Sequence, residues 1–260
     1  MKKILFLFLL LNTHIIQADN AFSVSGSLLY FDYEEFSDSG LSLNHETGFI
    51  PGINMNYRLE NNQLAFTLHD GSVEYNGQTQ SGSPHQTDTI ETLYTLTYRH
   101  YFPVTDGLNR NNYYTGLGYQ FWERDIQARN NINRLFEEYS WWTIEAGIQT
   151  LIYRQNNYQV TLDLGLLHTI NGIIYIDLTD IGYGYPHLSL GNRAGINTHL
   201  TFTKLITDNQ SLYINLNYKH WKFGKSNSQT LNNGTSGITI TEPASHSNHS
   251  QLSLGWIIYF

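Results

Sequence analysis

Period-two alternation of apolar and polar residues runs through almost the whole chain, and few folds can use it. Across residues 158–170, Val160, Leu162, Leu164 and Leu166 share one face, while Gln159, Thr161, Asp163 and Gly165 share the other. Residues 211–223 set Leu212, Ile214, Leu216 and Tyr218 against Tyr213, Asn215, Asn217 and Lys219. Residues 46–59 set Ile53, Met55 and Tyr57 against Gly52, Asn54, Asn56 and Arg58. Successive side chains of a strand point to opposite faces, so each segment is a strand with one greasy and one wet surface. Ten such strands can be drawn, near 22–36, 46–59, 63–75, 87–102, 112–124, 137–153, 158–170, 187–205, 211–223 and 248–260. No window shows a helical period.

A soluble sandwich also alternates, because each of its sheets has a core face and a wet face. Two features argue against it. The polar faces are built from Asn, Thr, Gln and Gly, with few of the Lys and Glu residues that solvate an open surface. The strands so drawn are also longer than a sandwich needs and long enough for a tilted path across a bilayer.

The first residues fix where the chain is sent. Lys2 and Lys3, the apolar run Ile4–Leu11 and the end Gln17–Ala18 form a secretory signal peptide over residues 1–18, too short to span a bilayer as a helix. The remaining 19–260 would then be one domain. Without the signal, 12 Lys and Arg stand against 22 Asp and Glu, a net charge of −10 that argues against nucleic acid as a partner. No cysteine is present, so neither disulfides nor a lipoprotein-type anchor hold this secreted chain. No later stretch of about 18 apolar residues could form a transmembrane helix. Low mean hydropathy (−0.35) with 19 tyrosines and 5 tryptophans suits a barrel with a wet interior and aromatic belts at the membrane interfaces.

Connection lengths alternate. Glu60-Asn61-Asn62, Arg154-Gln155-Asn156-Asn157 and Thr207-Asp208-Asn209-Gln210 are tight turns of residues that tolerate positive φ. The Pro103–Asn111 connection is somewhat longer. The other five, about 37–45, 76–86, 125–136, 171–186 and 224–247, are long. Short turns at one end and long loops at the other is the asymmetry of outer-membrane barrels, whose long loops lie outside the cell. The expectation is therefore an all-β, closed, antiparallel, up-and-down transmembrane barrel of about ten strands, with eight or twelve within the boundary uncertainty. Both mature termini would be periplasmic.

The chain ends Ser253-Leu254-Gly255-Trp256-Ile257-Ile258-Tyr259-Phe260. This resembles the C-terminal assembly signal of bacterial outer-membrane barrels, with Ser253, Gly255, Ile258 and Phe260 in its places. The resemblance implies insertion by the barrel assembly machinery and contact with outer-membrane lipid and lipopolysaccharide. A monomer is expected. Residues 75–84, from Tyr75 to Pro84, look like a loop of uncharacterised proteobacterial outer-membrane proteins, a family with no activity to carry over.

Projecting the alternation inward predicts a lumen network of Arg58, Glu91, Arg99, Glu145, Asp163, Arg193 and Lys219, with His69 and His199 nearby. In so narrow a barrel, side chains can fill the interior, and charges of both signs need one another there. A largely plugged lumen follows.

Catalytic patterns are sparse. The strand count is similar to that of the omptin proteases, which carry an acidic pair and an Asp-His pair near the outer rim. This chain has no Asp-x-Asp and no Asp-x-His, and Asp177 and Asp180 have no histidine at the family's spacing. The triplet His187-Leu188-Ser189 is similar to the His-x-Ser of outer-membrane lipid A deacylases, making His187 and Ser189 catalytic candidates. Thr201 stands where that family has its glutamate. His246 and His249 lie three apart, but no further ligand completes a metal site, so neither metal nor cofactor is expected. Three functions stay open: a surface-binding or envelope-structural barrel, a hydrolase at the outer rim, and a narrow solute channel.

Overall fold

The computed structural model describes residues 20–79, 82–106 and 109–260; the signal peptide expected over residues 1–18 lies outside them. Antiparallel neighbours form one continuous wall. It comprises β1 (Asn20–Phe36), β2 (Ser42–Leu59), β3 (Asn62–Gln78), β4 (Pro84–Asp106), β5 (Asn109–Ile126), β6 (Leu135–Gln155), β7 (Tyr158–Asp177), β8 (His187–Leu190), β9 (Ala194–Thr207), β10 (Gln210–Phe223) and β13 (Ala244–Tyr259). β8 and β9 both pair with β7 and are two halves of one wall strand, so the wall has ten strands. A separate hairpin, β11 (Gln229–Asn232) and β12 (Gly237–Ile240), lies in the connection before β13.

Closure comes from β1 and β13, which pair from Ala21 opposite Tyr259 to Phe36 opposite Ala244. Across the apolar band no edge strand is left among the described residues, which is what a backbone needs where lipid offers no hydrogen bonds; beyond the band, toward the loops, β8 pairs with β7 alone.

Outward side chains place the apolar zone. Val24, Leu28, Ile53, Met55, Leu96, Leu117, Ile144, Leu164, Leu166 and Leu254 are exposed hydrophobics. Aromatics flank them on both sides: Phe22, Tyr57, Tyr98, Tyr113 and Trp256 toward the short turns, and Tyr30, Phe49, Tyr94, Tyr119, Trp142 and Tyr218 toward the loops. Two aromatic belts around an apolar band are the signature of a lipid-facing wall. In β13, Leu252, Leu254, Trp256 and Ile258 are all exposed, as is Phe260 just after it, and Phe260 stacks on Tyr57 at 6.2 Å. Ser253 is buried and accepts hydrogen bonds from Asn54 and Gln251, while a Cβ at Gly255 would press on Ser25 and the Tyr213 ring.

Most strands run longer than the ranges drawn from the sequence, up to 23 residues in β4, and the loops shrink accordingly. The wall continues past the apolar band into water, where both faces turn polar and the alternation that marks a strand fades. Residues 37–41 and 127–134 are all that remain of two expected loops.

Two irregularities change which residues point inward. Asn171, with φ +53°, forms a bulge where Ser140 faces Ile173 but Trp142 faces Ile170. Before it the odd residues of β7 face inward, as Asp163, Leu167 and Thr169 do; after it the even residues Ile174 and Ile176 do. The break at 191–193 reverses the parity again, so even residues of β8 and odd residues of β9 are buried.

Inside the band, Tyr114 lies across two glycines of neighbouring strands: a Cβ at Gly147 or Gly165 would collide with its hydroxyl. Gly147→Val is expected to cost about 1–3 kcal/mol by overpacking this joint. The check is the urea midpoint of the folded, heat-modifiable band on unboiled gels; an unchanged midpoint would refute the joint.

Candidate functional site: the lumen and its loop-end closure

The lumen holds two polar centres stacked along the barrel axis. The first lies within the apolar band. Arg99 donates from Nε to Glu145 Oε1 at 2.6 Å, from Nη2 to Glu145 Oε2 at 3.1 Å and from Nη1 to Asp163 Oδ2 at 3.2 Å. Tyr114 donates to Asp163 Oδ1 at 2.7 Å and Asn197 to Glu145 Oε2 at 2.8 Å. A guanidinium fork satisfied by two carboxylates is how buried charge becomes tolerable.

Of the predicted interior residues, Arg58, His69, Glu91, Arg99, Glu145, Asp163, His199 and Lys219 do lie on the inner face. Arg58 sits 4.7 Å over the Tyr101 ring near the turn end. His69 is buried beside Ser27, and His199 is in contact with Asn217. Lys219 donates to Gln120 at 2.6 Å. Arg193 does not belong: it is exposed in the 191–193 break, its guanidinium bonded to the neighbouring Asn192 carbonyl. The break shifts parity there, which a strand drawn unbroken over 187–205 cannot show.

The same shift turns His187 and Ser189 outward. His187 packs on Tyr175 at 5.6 Å, and the Ser189 backbone N–H donates to Asn227. Among the described residues no hydrogen bond joins the two side chains or brings a carboxylate to His187, so no nucleophilic triad is assembled around them.

The second centre lies beyond the apolar band, toward the loops, and sequence reasoning missed all of it but Glu91. Arg124, 2% exposed, donates from Nε to Glu46 at 2.8 Å, and from Nη1 to Glu35 at 3.0 Å and Glu137 at 2.7 Å. Tyr139 donates to Glu137 at 3.1 Å and to Glu242 at 2.8 Å. The Trp122 indole donates to Glu91. Five buried carboxyls thus crowd one guanidinium, which bonds only Glu35, Glu46 and Glu137. Carrying the parity of Leu29, Phe31 and Tyr33 two residues on, and that of Gln120 and Trp122 likewise, would have found Glu35 and Arg124.

Between the centres lies an aromatic ring. Trp122 stacks on Tyr139 at 4.5 Å and meets Tyr33 edge-on at 4.9 Å; Trp141 meets Phe223 edge-on at 5.1 Å; Trp221 meets His249 at 4.5 Å. Below it, toward the turns, is a chamber of about 910 Å³ lined mainly by Asn, Gln, Thr and Ser. Its lining ends at Leu29, Leu93, Trp141, Leu167 and Trp221. The lumen is therefore filled in its loop half and hollow in its turn half, where a plug along most of its length was expected.

No described protein family and no curated protein matches the chain. Among solved structures it is similar to the outer membrane protease OmpT from Escherichia coli, at 11% identity and a TM-score of 0.52, with 94% of this chain and 98% of that chain covered. It is also similar to the outer membrane protein OprG from Pseudomonas aeruginosa, at 10% identity and a TM-score of 0.39 over 94% of this chain and 97% of that one. The Pseudomonas putida toluene transporter TodX gives 8% identity and a TM-score of 0.32 over 93% of this chain and 90% of that one. At such identities the OmpT likeness speaks for the fold alone, a closed barrel of the outer-membrane type.

Arg99→Met should destabilise the barrel by about 3–5 kcal/mol, because it strands two buried carboxylates. Glu145→Gln with Asp163→Asn in the same chain should recover part of that loss. Unfolding of the detergent-solubilised barrel in urea checks both, and additive losses would disprove the coupling.

Proposed function

We propose that this chain is an integral outer-membrane barrel that does not conduct in its resting form and presents its loop end as a surface platform, in an envelope-structural or surface-binding role. The observation that carries this reading is the closure of the lumen by the aromatic ring above the chamber. Side chains packed at the density of a protein interior would leave no path for a solute. The apolar band with its two aromatic belts supports insertion in the outer membrane, with lipid and lipopolysaccharide as its surroundings. The tight turns and both termini would face the periplasm, and the loops would face outward. The final strand, with Ser253, Gly255, Ile258 and Phe260, would be what the assembly machinery engages.

A narrow channel is the second reading, and the polar chamber of about 910 Å³ favours it. Planar bilayer recording separates the two. The intact barrel is expected to give no steady ion conductance, whereas Trp141→Ala combined with Trp221→Ala, which removes two large side chains from the ring, should give discrete steps. Steady conductance of the unaltered protein would sink the platform reading and leave the channel.

A further inference from the structure

The connection from β10 to β13, residues 224–243, is the longest among the described residues, and it folds back into the mouth of the barrel. Ile240, at the end of β12, is 3% exposed and belongs to the hydrophobic cluster of the loop half, with Leu231 and Ile238 packed against it. Two residues on, Glu242 sends its carboxyl into the same interior. The base of the loop is pinned there: the Glu242 N–H donates to Ser226 Oγ, and the Ser226 N–H donates to the Glu242 carbonyl.

The surroundings of that carboxyl are unusual. Facing it are Tyr33 and Glu35 from β1, Arg124 from β5, and Glu137 and Tyr139 from β6. Every bond Arg124 makes goes to Glu35, Glu46 or Glu137. The loop's own cation, Lys225, is turned away to Asp38 at 2.7 Å. Glu242 is left with one phenol donor, two carboxylates nearby and no cation bonded to it. A buried carboxyl in such a place is far easier to hold neutral than charged.

We propose that the hairpin over residues 229–240 is a lid over the barrel mouth, latched by the protonated carboxyl of Glu242 and released when that carboxyl ionises. Burial, then repulsion from Glu35 and Glu137, holds the Glu242 carboxyl well above the ordinary carboxylate range. The sign follows from linkage: closing the lid takes up a proton at this site, so the closed form is favoured at acid pH. That advantage fades as pH rises through the raised value. The change is about tenfold in the closing equilibrium per pH unit above the ordinary carboxylate value, until the raised value is passed. The aromatic ring lies beneath the lid and belongs to the barrel wall. The lid can therefore open without making a conduit, and bilayer conductance tests the platform reading separately.

Because the chain has no cysteine, a single thiol reports on one place. Ile240→Cys puts a thiol under the lid, and Thr235→Cys puts one on its exposed turn, cancelling the pH dependence of the thiol itself. The ratio of their labelling rates with a water-soluble maleimide should rise at least about tenfold between about pH 5 and about pH 9. With Glu242→Gln added, which keeps the acceptor for Tyr139 but cannot ionise, the ratio should stay low throughout. If Ile240→Cys does not fold, hydrogen exchange of residues 229–241 in the cysteine-free protein, corrected for the intrinsic effect of pH, reads the same opening. A flat response in the unaltered latch, or an equal rise with Glu242→Gln, would overturn the proposal.

Discussion

The pairing of β1 with β13 is the contact on which everything else rests. A sheet in lipid cannot leave an edge, since each unpaired N–H or C=O there costs several kcal/mol. Closing the sheet removes the edge at one stroke, and it also creates the lumen. Ten strands enclose a space too wide to be filled by backbone and narrow enough to be filled by side chains. Whatever faces inward must then satisfy itself with little help from water.

The two arginines answer that demand differently. Arg99 bonds both Glu145 and Asp163, so each carboxylate of that centre has a cation partner, and a hollow chamber can lie around it without strain on its bonds. Arg124 meets Glu35, Glu46 and Glu137, while Glu91 and Glu242 crowd the same space. An excess of buried carboxyls over cations is tolerable only where some hold their protons. That is a reason for the second centre to sit beyond the apolar band, where a loop can move and water can reach it, rather than at the depth of Arg99.

Much of the barrel was legible in the sequence because lipid on one side and water on the other impose alternation residue by residue. Val160 to Leu166 and Leu212 to Tyr218 announce their faces, and the closing strand announces its end. The loop half was much less legible. Past Tyr30 and Phe49 the wall stands in water on its outside, so Asn44 and His45 look like a loop although they are strand. The inner face there is aromatic, so the inside-outside contrast reverses as well. Arg193 was drawn inward for a separate reason: the break at 191–193 moves the parity by a residue and leaves no strong local mark.

The position of the lid follows from the same contrast. A hairpin such as β11–β12 is marginal alone, since two short strands bury too little surface. It becomes stable by placing Ile240 on the aromatic cluster that the inner wall exposes at the mouth. Its carboxyl at Glu242 then has to enter a space already supplied with too many acids. The apolar contact draws the segment in, and the carboxyl makes its staying in depend on a proton. A hydrophobic residue in place of Glu242 would keep the first effect and remove the second, giving a permanent cap. Two residues of spacing between Ile240 and Glu242 put both on the inward face of one extended segment, so the attraction and its condition are carried by the same stretch of chain.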